Sequence, residues 1–406
     1  MKFFSEYDKF RTYLEGEQRI LNSPAEMSAS EREERVRNLR KLYIEPTSTC
    51  NFSCPMCPRS FWDEKDFRHM DDGIYRAAVD SAVEMGTVRT VFFGGFGEPL
   101  CNPHLADMIH YAAERGFRTE LITNGKLLDD SRIRELLEAG IKAFWVSFEG
   151  VDPETSGHSS FGGNIVYQNL QRLRSLRVDC RPDDFCELNL SCVIMRSNLS
   201  SLPGIVDIAR RLKAQNVMFT HIIPYDESCL HEMCYEMMLN SGAGVKTESD
   251  SNTRIYLPFS DFRDPALSGF LASNLLSGDP LILGNTSVSR QHNRCPFIED
   301  GDTFVRADGE VCPCMALLHS GPLYEFGEKR HIAARSFGNL VDRSLREIWE
   351  GGEYTDFRRK VMEFSFSPCI ECGGCELREK NEEDCIGNTL TTCGACVWAA
   401  GIARCP

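Results

Sequence analysis

Residues 41–59 read Lys-Leu-Tyr-Ile-Glu-Pro-Thr-Ser-Thr-Cys-Asn-Phe-Ser-Cys-Pro-Met-Cys-Pro-Arg, and this stretch decides the fold. The short apolar run Leu42-Tyr43-Ile44 predicts a buried strand, and Pro46, which lacks a backbone N–H, ends it. The loop beyond carries Cys50, Cys54 and Cys57 in a C-x3-C-x2-C triplet. Three thiolates so close in one loop can hold three irons of a cubane and leave the fourth iron open. Soft sulfur ligands select iron–sulfur clusters or zinc. Structural zinc wants four ligands, usually in two separated pairs, so iron–sulfur is the better reading of a triplet.

Outward from the triplet, the chain of 406 residues is long enough for two or three domains and a large core. The formal net charge of −15 disfavours binding to a phosphate backbone, so nucleic acid is not an expected partner. No apolar run approaches the roughly 18 residues that would span a bilayer. The N-terminus has charges where a signal peptide needs its apolar core, so a cytoplasmic protein is expected. Nineteen cysteines are then better read as metal ligands than as disulfides. Three lie at 50–57, ten crowd into 295–405, and six are scattered between, which marks two metal-rich regions.

Composition divides the chain into a leading helical segment (1–40), an α/β stretch (41–225), a bridging segment (226–294) and a cysteine-rich region (295–406). In the first, a charged helix is capped by Ser28 or Ser30. In the second, short apolar strands at 42–45, 89–94, 118–122, 143–148, 187–194 and 216–222 alternate with amphipathic helices at 72–86, 103–115, 129–139, 165–175 and 202–214. That alternation predicts a parallel sheet wound by crossovers, with functional residues at the C-terminal strand ends. The second strand ends in Gly94-Gly95-Phe96-Gly97-Glu98-Pro99, where glycines allow close backbone approach and Glu98 supplies an acceptor. Ser147 ends the fourth strand, Asn189 and Ser191 lie on the fifth, and Ile222 follows the sixth. His221 reads as a packed histidine in preference to a catalytic one, and no catalytic residue is assigned.

The triplet after a first strand and the glycine–Glu98 turn about 40 residues later resemble the radical S-adenosylmethionine (radical SAM) enzymes. The resemblance implies a partial (β/α)6 barrel in the α/β fold class. It also implies an iron–sulfur cluster on Cys50, Cys54 and Cys57 whose open iron chelates the methionine of SAM. Gly95, Gly97, Glu98 and Pro99 then match the motif that binds the SAM amino group. Ser147, Asn189 and Ser191 fall where relatives contact the methionine or ribose, and Ile222 where they contact adenine. Glu149 stands where relatives often have aspartate.

Past Cys295, Asp308-Gly309 predicts a hairpin turn, and Gly309 with Cys314 gives a G-x4-C element. Gly338-Asn-Leu and Ser344-Leu-Arg-Glu-Ile-Trp complete a likeness to the SPASM extension of radical SAM maturases. By that likeness one auxiliary cluster takes Cys295, Cys314 and Cys385 with a local fourth ligand, Cys312. A second takes Cys369, Cys372 and Cys375 with Cys393 or Cys396. Zinc on the C-x2-C pairs is the competing reading, and one auxiliary cluster the alternative to two. The last 40 residues resemble radical SAM proteins linked to tungsten-cofactor oxidoreductases. The function implied is reductive cleavage of SAM and hydrogen abstraction in the maturation of a peptide, protein or bound cofactor, with a flavodoxin or ferredoxin as reductant. The alternatives are the same chemistry on a small metabolite, and an iron–sulfur electron carrier that does not cleave SAM.

Overall fold

The computed structural model describes residues 28–150, 163–178, 186–237, 258–260, 281–283, 295–325, 328–367, 369, 375–389, 393–403 and 405. Cys372, residues 1–27 and most of the bridging segment therefore lie outside the described residues. Helix α1 (Ala29–Arg37) is capped by Ser28, whose hydroxyl and backbone form a reciprocal box with Glu31. There follow β1 (Lys41–Ile44), α2 (Asp72–Met85), β2 (Thr90–Phe93), α3 (Leu105–Glu114), β3 (Arg118–Thr123) and α4 (Asp130–Glu138). Then come β4 (Ala143–Ser147), α5 (Gly163–Val178), β5 (Glu187–Ile194), α6 (Leu202–Leu212) and β6 (Asn216–His221).

All six expected strands and five expected helices of the α/β stretch are present. Each strand lies parallel to the next, in sequence order. With right-handed crossovers that order puts every helix on one face, so the sheet forms a barrel wall with helices outside. Val91, Phe93, Leu121, Phe144, Val146, Leu188 and Leu190 are fully buried, as both faces of such a sheet require.

The sheet is larger than expected. Short strands β7 (Tyr235–Met237) and β8 (Pro258–Ser260) pair apart from it, but β9 (Leu281–Leu283) extends it beside β6. After helix α7 (Pro296–Asp300), the hairpin of β10 (Asp302–Val305) and β11 (Val311–Cys312) adds to the other edge. β10 runs parallel to β1 in the register Lys41↔Asp302 to Ile44↔Val305. The reason is physical: β1 would otherwise leave a row of unpaired backbone groups. Tyr43 closes the joint, stacked 4.2 Å from Phe304 and edge-on to Phe297.

Beyond it lie the antiparallel pair β12 (Gly321–Glu325) and β13 (Glu328–Ile332), then α8 (Leu345–Trp349) and α9 (Gly352–Glu363). Trp349 is fully buried and its indole donates to Arg37 O at 2.7 Å, while Arg358 donates to Val36 O at 2.8 Å. Helix α1 is thereby tied to the cysteine-rich region. Among the described residues no helix is long and apolar enough to cross a membrane.

Candidate active site

Three loops converge at the C-terminal ends of β1, β2 and β3. The cysteine loop leaves β1 at Glu45 and is braced by Asn102, which donates to Pro46 O at 2.8 Å. Arg59 closes it by donating to Ser48 O at 2.8 Å, and Cys57 N reaches Cys54 O at 3.0 Å. Cys50, Cys54 and Cys57 are all half-buried. Burial pushes all three thiols above their ordinary range, neighbouring thiols push Cys54 and Cys57 the same way, and Arg59 opposes the rise. Among the described residues no three His, Cys, Asp or Glu side chains already converge to metal-bonding distance, so the loop supplies proximity and softness of donors.

The glycine turn is held against this loop backbone to backbone. Glu98 N donates to Thr49 O at 2.8 Å, and Gly97 lies so near Thr47 that a Cβ there would fall 2.0 Å from its carbonyl oxygen. Glu98 was expected to face a cation; it is buried, and its carboxylate serves the protein first. Oε1 accepts from Thr123 Oγ1 at 2.7 Å and Leu100 N at 3.1 Å, and Oε2 accepts from Asn124 N at 2.7 Å. Of roughly four acceptor sites on a carboxylate, one is left for a ligand. Burial pushes Glu98 up to about 7 against these three bonds, which favour its charged form.

Glu98→Gln should therefore destabilise the protein, because the amide N–H2 must confront one of the three donors. A loss of about 1–3 kcal/mol is expected from one unsatisfied buried group, read as a lower urea midpoint at pH 7.5 with unchanged slope.

Thr123-Asn124-Gly125, at the end of β3, is in sequence no more than a turn signal. Asn124 Nδ2 also donates to Asn51 Oδ1 at 2.8 Å and lies 3.9 Å from Cys50 Sγ. It clamps the cysteine loop, a role with no signal beyond its position at a strand end.

Around the wall, Ser147 and Ser191 face each other in register across β4 and β5. Asn189 is fully buried; its Oδ1 accepts from Asn216 at 2.7 Å, and among the described residues its Nδ2 has no partner. Ile222 clusters with Met195, Cys229 and Met56 of the cysteine loop, so it closes the same space. Burial pushes Glu149 up to about 7, and its charge reaches Cys54. Burial lowers His221 to about 4, and its ring lies edge-on to Tyr235, as a packed neutral histidine.

The C-terminal thiols group differently from the expectation. Cys295 caps α7, Cys314 follows β11, and Cys393 and Cys396 flank a single turn closed by Cys396 N to Cys393 O at 3.1 Å. These four line one cavity; Cys295, Cys393 and Cys396 all raise the proton affinity of Cys314, and Cys396 also raises that of Cys295 and Cys393. Cys312 is not with them: it is buried beside Arg306, Asp308, Glu310 and Glu45. Cys369 instead feels Cys385 and Cys375, and Ser367 Oγ sits 3.1 Å from Cys385 Sγ. The tail causes the regrouping. It folds back until His221 N donates to Ile402 O at 3.3 Å, carrying Cys393 and Cys396 past Cys385 to Cys295 and Cys314.

The cavity, open to solvent on one side, spans about 950 Å³ with that open part included. The four thiols form one part of its lining, and Trp62, Phe96, Tyr225 and His319 form another. Pro58, next to Cys57, also reaches it. Tyr225 feels both Cys57 and Cys396, so it stands between the two thiol sets. No sequence pattern pointed to it. Arg330 joins the two C-terminal sets, donating to Ala395 O at 3.4 Å and bonding Arg378 O, with Glu325 at 2.5 Å as its buried counter-charge.

Residues 44–179 match the family model of the radical SAM superfamily, and residues 295–376 match the SPASM model, an iron–sulfur cluster-binding domain. The tungsten-containing aldehyde ferredoxin oxidoreductase cofactor-modifying protein of Pyrococcus furiosus is 25% identical over 381 residues, covering 91% of this chain and 97% of the relative. The PqqA peptide cyclase of Gluconobacter oxydans is 29% identical, covering 87% and 89%. Among solved structures, anSMEcpe with bound AdoMet shares the fold at a TM-score of 0.53 and 17% identity, covering 89% and 95%. Iron–sulfur clusters and S-adenosylmethionine are the cofactors of this family. The chain belongs to the radical SAM superfamily of enzymes and carries a SPASM iron–sulfur domain in its cysteine-rich region.

Proposed function

We propose that this chain is a maturase that cleaves SAM reductively and abstracts hydrogen from a peptide, a protein or a bound cofactor. In this reading the barrel spans 41–225 and the auxiliary-cluster domain 295–406. The observation that carries it is the single cavity that runs from the edge of the cysteine loop to four C-terminal thiols. A small electron carrier has no use for such an apolar cavity.

The residues suit the cofactors. Cys50, Cys54 and Cys57 offer three soft donors, the donor set of a cluster with one open iron. Among the described residues Asn51 Nδ2 and Asn189 Nδ2 are buried donors without partners, and Ser147 and Ser191 add hydroxyls at the strand ends, a donor-rich wall for the carboxylate and hydroxyls of SAM. When bound, the cluster and SAM supply an electron and a 5′-deoxyadenosyl radical. The chain's own part is to position and to exclude water. Gly95 and Gly97 let the backbone approach, Glu98 fixes the β2 and β3 ends together, and Met56 and Ile222 shield the pocket. Auxiliary clusters are assigned to Cys295, Cys314, Cys393 and Cys396, and to Cys369, Cys372, Cys375 and Cys385. Flavodoxin or ferredoxin would supply the electron. The names of the two curated relatives, a cofactor-modifying protein and a peptide cyclase, favour a large substrate over a free metabolite.

Anaerobic reconstitution followed by dithionite and SAM tests this reading. The wild type should form 5′-deoxyadenosine, and the Cys50/Cys54/Cys57 triple alanine variant should form none. Iron in the wild type without any SAM cleavage would turn the reading to an electron carrier.

A further inference from the structure

One polar pair at the apolar cavity stands apart from the thiol sets: His319 lines the cavity and Glu45 lies behind it. Glu45 directly follows β1 and is 2% exposed. Its Oε1 lies 3.1 Å from His319 Nε2, and Ala307 N donates to its Oε2 at 3.3 Å. The His319 ring stacks on Trp62 at 3.7 Å and stands edge-on to Phe96. Arg306, whose charge Glu45 also feels, pairs with Asp308 at 2.5 Å and donates to Leu318 O at 3.0 Å. A carboxylate held against Nε2 selects the tautomer with N–H there, which leaves the lone pair on Nδ1. Among the described residues nothing hydrogen-bonds Nδ1, and it is not one of the sealed-off polar atoms. His319 lines the cavity.

We infer that His319, fixed from behind by Glu45, is the hydrogen-bond and proton acceptor of the substrate pocket, and that it takes an O–H or N–H borne by an aromatic or other flat apolar group. The arrangement is the logic of a carboxylate-oriented imidazole base, with Trp62 and Phe96 as the flat walls. A buried acceptor left unpaired costs free energy, so a ligand lacking the donor is discriminated against. The inference rests on the reading of the cavity as the seat of the substrate.

The test uses two probes of like shape, 4-fluorophenol and 4-fluoroanisole, followed by ¹⁹F NMR on the reconstituted full chain. The wild type should bind the phenol about tenfold more tightly, the worth of roughly one neutral hydrogen bond. His319→Phe keeps a ring against Trp62 and should bring the ratio to about one through loss of phenol affinity alone. Glu45→Gln can turn its amide N–H toward Nε2, which moves the imidazole proton to Nδ1, so it too should lose the preference. A ratio that survives in either variant, or is absent from the wild type, overturns the inference, as does failure of both probes to bind. SAM cleavage by the wild type is measured in the same preparation. Cleavage without phenol preference defeats the pair alone, whereas phenol preference without cleavage defeats the proposed function.

Discussion

Cys314→Ala and Cys396→Ala should each strip about four irons from a reconstituted total of about twelve, and Cys312→Ala should strip none. The two cysteines are 82 positions apart in the chain, yet both line the same cavity with Cys295 and Cys393. Burial holds their thiols protonated, Cys396 pushed up to about 11, so each must lose a proton to a metal and none is a spontaneous thiolate. Removing one leaves three thiol ligands, since the nearby Glu325 carboxylate is held by Arg330 and the His319 ring by Glu45. Cys312, by contrast, faces Arg306 and a carboxylate cluster. Its alanine variant loses a small buried hydrophobe, a modest change in stability with full iron. Cys385→Ala should strip a different set of about four irons, those shared with Cys369 and Cys375, and leave the signal of the first set intact. Iron counts of the four variants side by side check the grouping. Equal loss in Cys312→Ala and Cys396→Ala would restore the order suggested by the linear sequence.

Gly97→Ala should be among the costliest single added methyl groups in the described residues. The added Cβ would meet Thr47 O at 2.0 Å and Thr49 O at 2.8 Å, both backbone atoms that cannot swing aside. Relief requires the glycine turn to leave the cysteine loop, which breaks the Glu98 N to Thr49 O bond and unseats the Glu98 bracket. Overpacking of this kind costs about 1–3 kcal/mol or more, and here it also moves the wall of the SAM pocket. A fall in thermal midpoint of about 5 °C or more is expected, with SAM cleavage reduced by at least about 100-fold, since small misplacements at a reacting centre have that scale. Gly204→Ala is the control. It lies in α6 with nothing within 4 Å of its would-be Cβ, and should stabilise slightly. If both variants behave alike, the close approach at Gly97 does not govern the site.

Much of this was legible beforehand because the responsible features are local. Pro46 after Leu42-Tyr43-Ile44, the C-x3-C-x2-C spacing, and the period of the α/β stretch each act over a few residues. The hairpin at Asp308-Gly309 was equally local, and Gly309 does sit at φ +89°. What the hairpin pairs with was not, since the β1 edge is reached only after about 250 intervening residues of chain. The same holds for the thiol groups. A return of the tail onto β6 decides which cysteines meet, and nothing in the spacing of Cys369 to Cys396 encodes that return. Glu98 was found by motif, but its three internal donors come from Leu100, Thr123 and Asn124, two of them on another strand end. His319 and Glu45 lie 274 positions apart and carry no motif. Their pairing follows from the β1–β10 joint that brings the region after β11 over the cysteine loop.

The most direct measurement is electron paramagnetic resonance of the reduced, reconstituted protein before and after SAM is added. If Cys50, Cys54 and Cys57 hold a cluster with one open iron, SAM should change one signal and leave the auxiliary signals alone. The triple alanine variant should lack that signal and show no response to SAM. A SAM-dependent change that persists in the triple variant, or its absence from an iron-loaded wild type, would contradict the assignment of the site to the loop after β1.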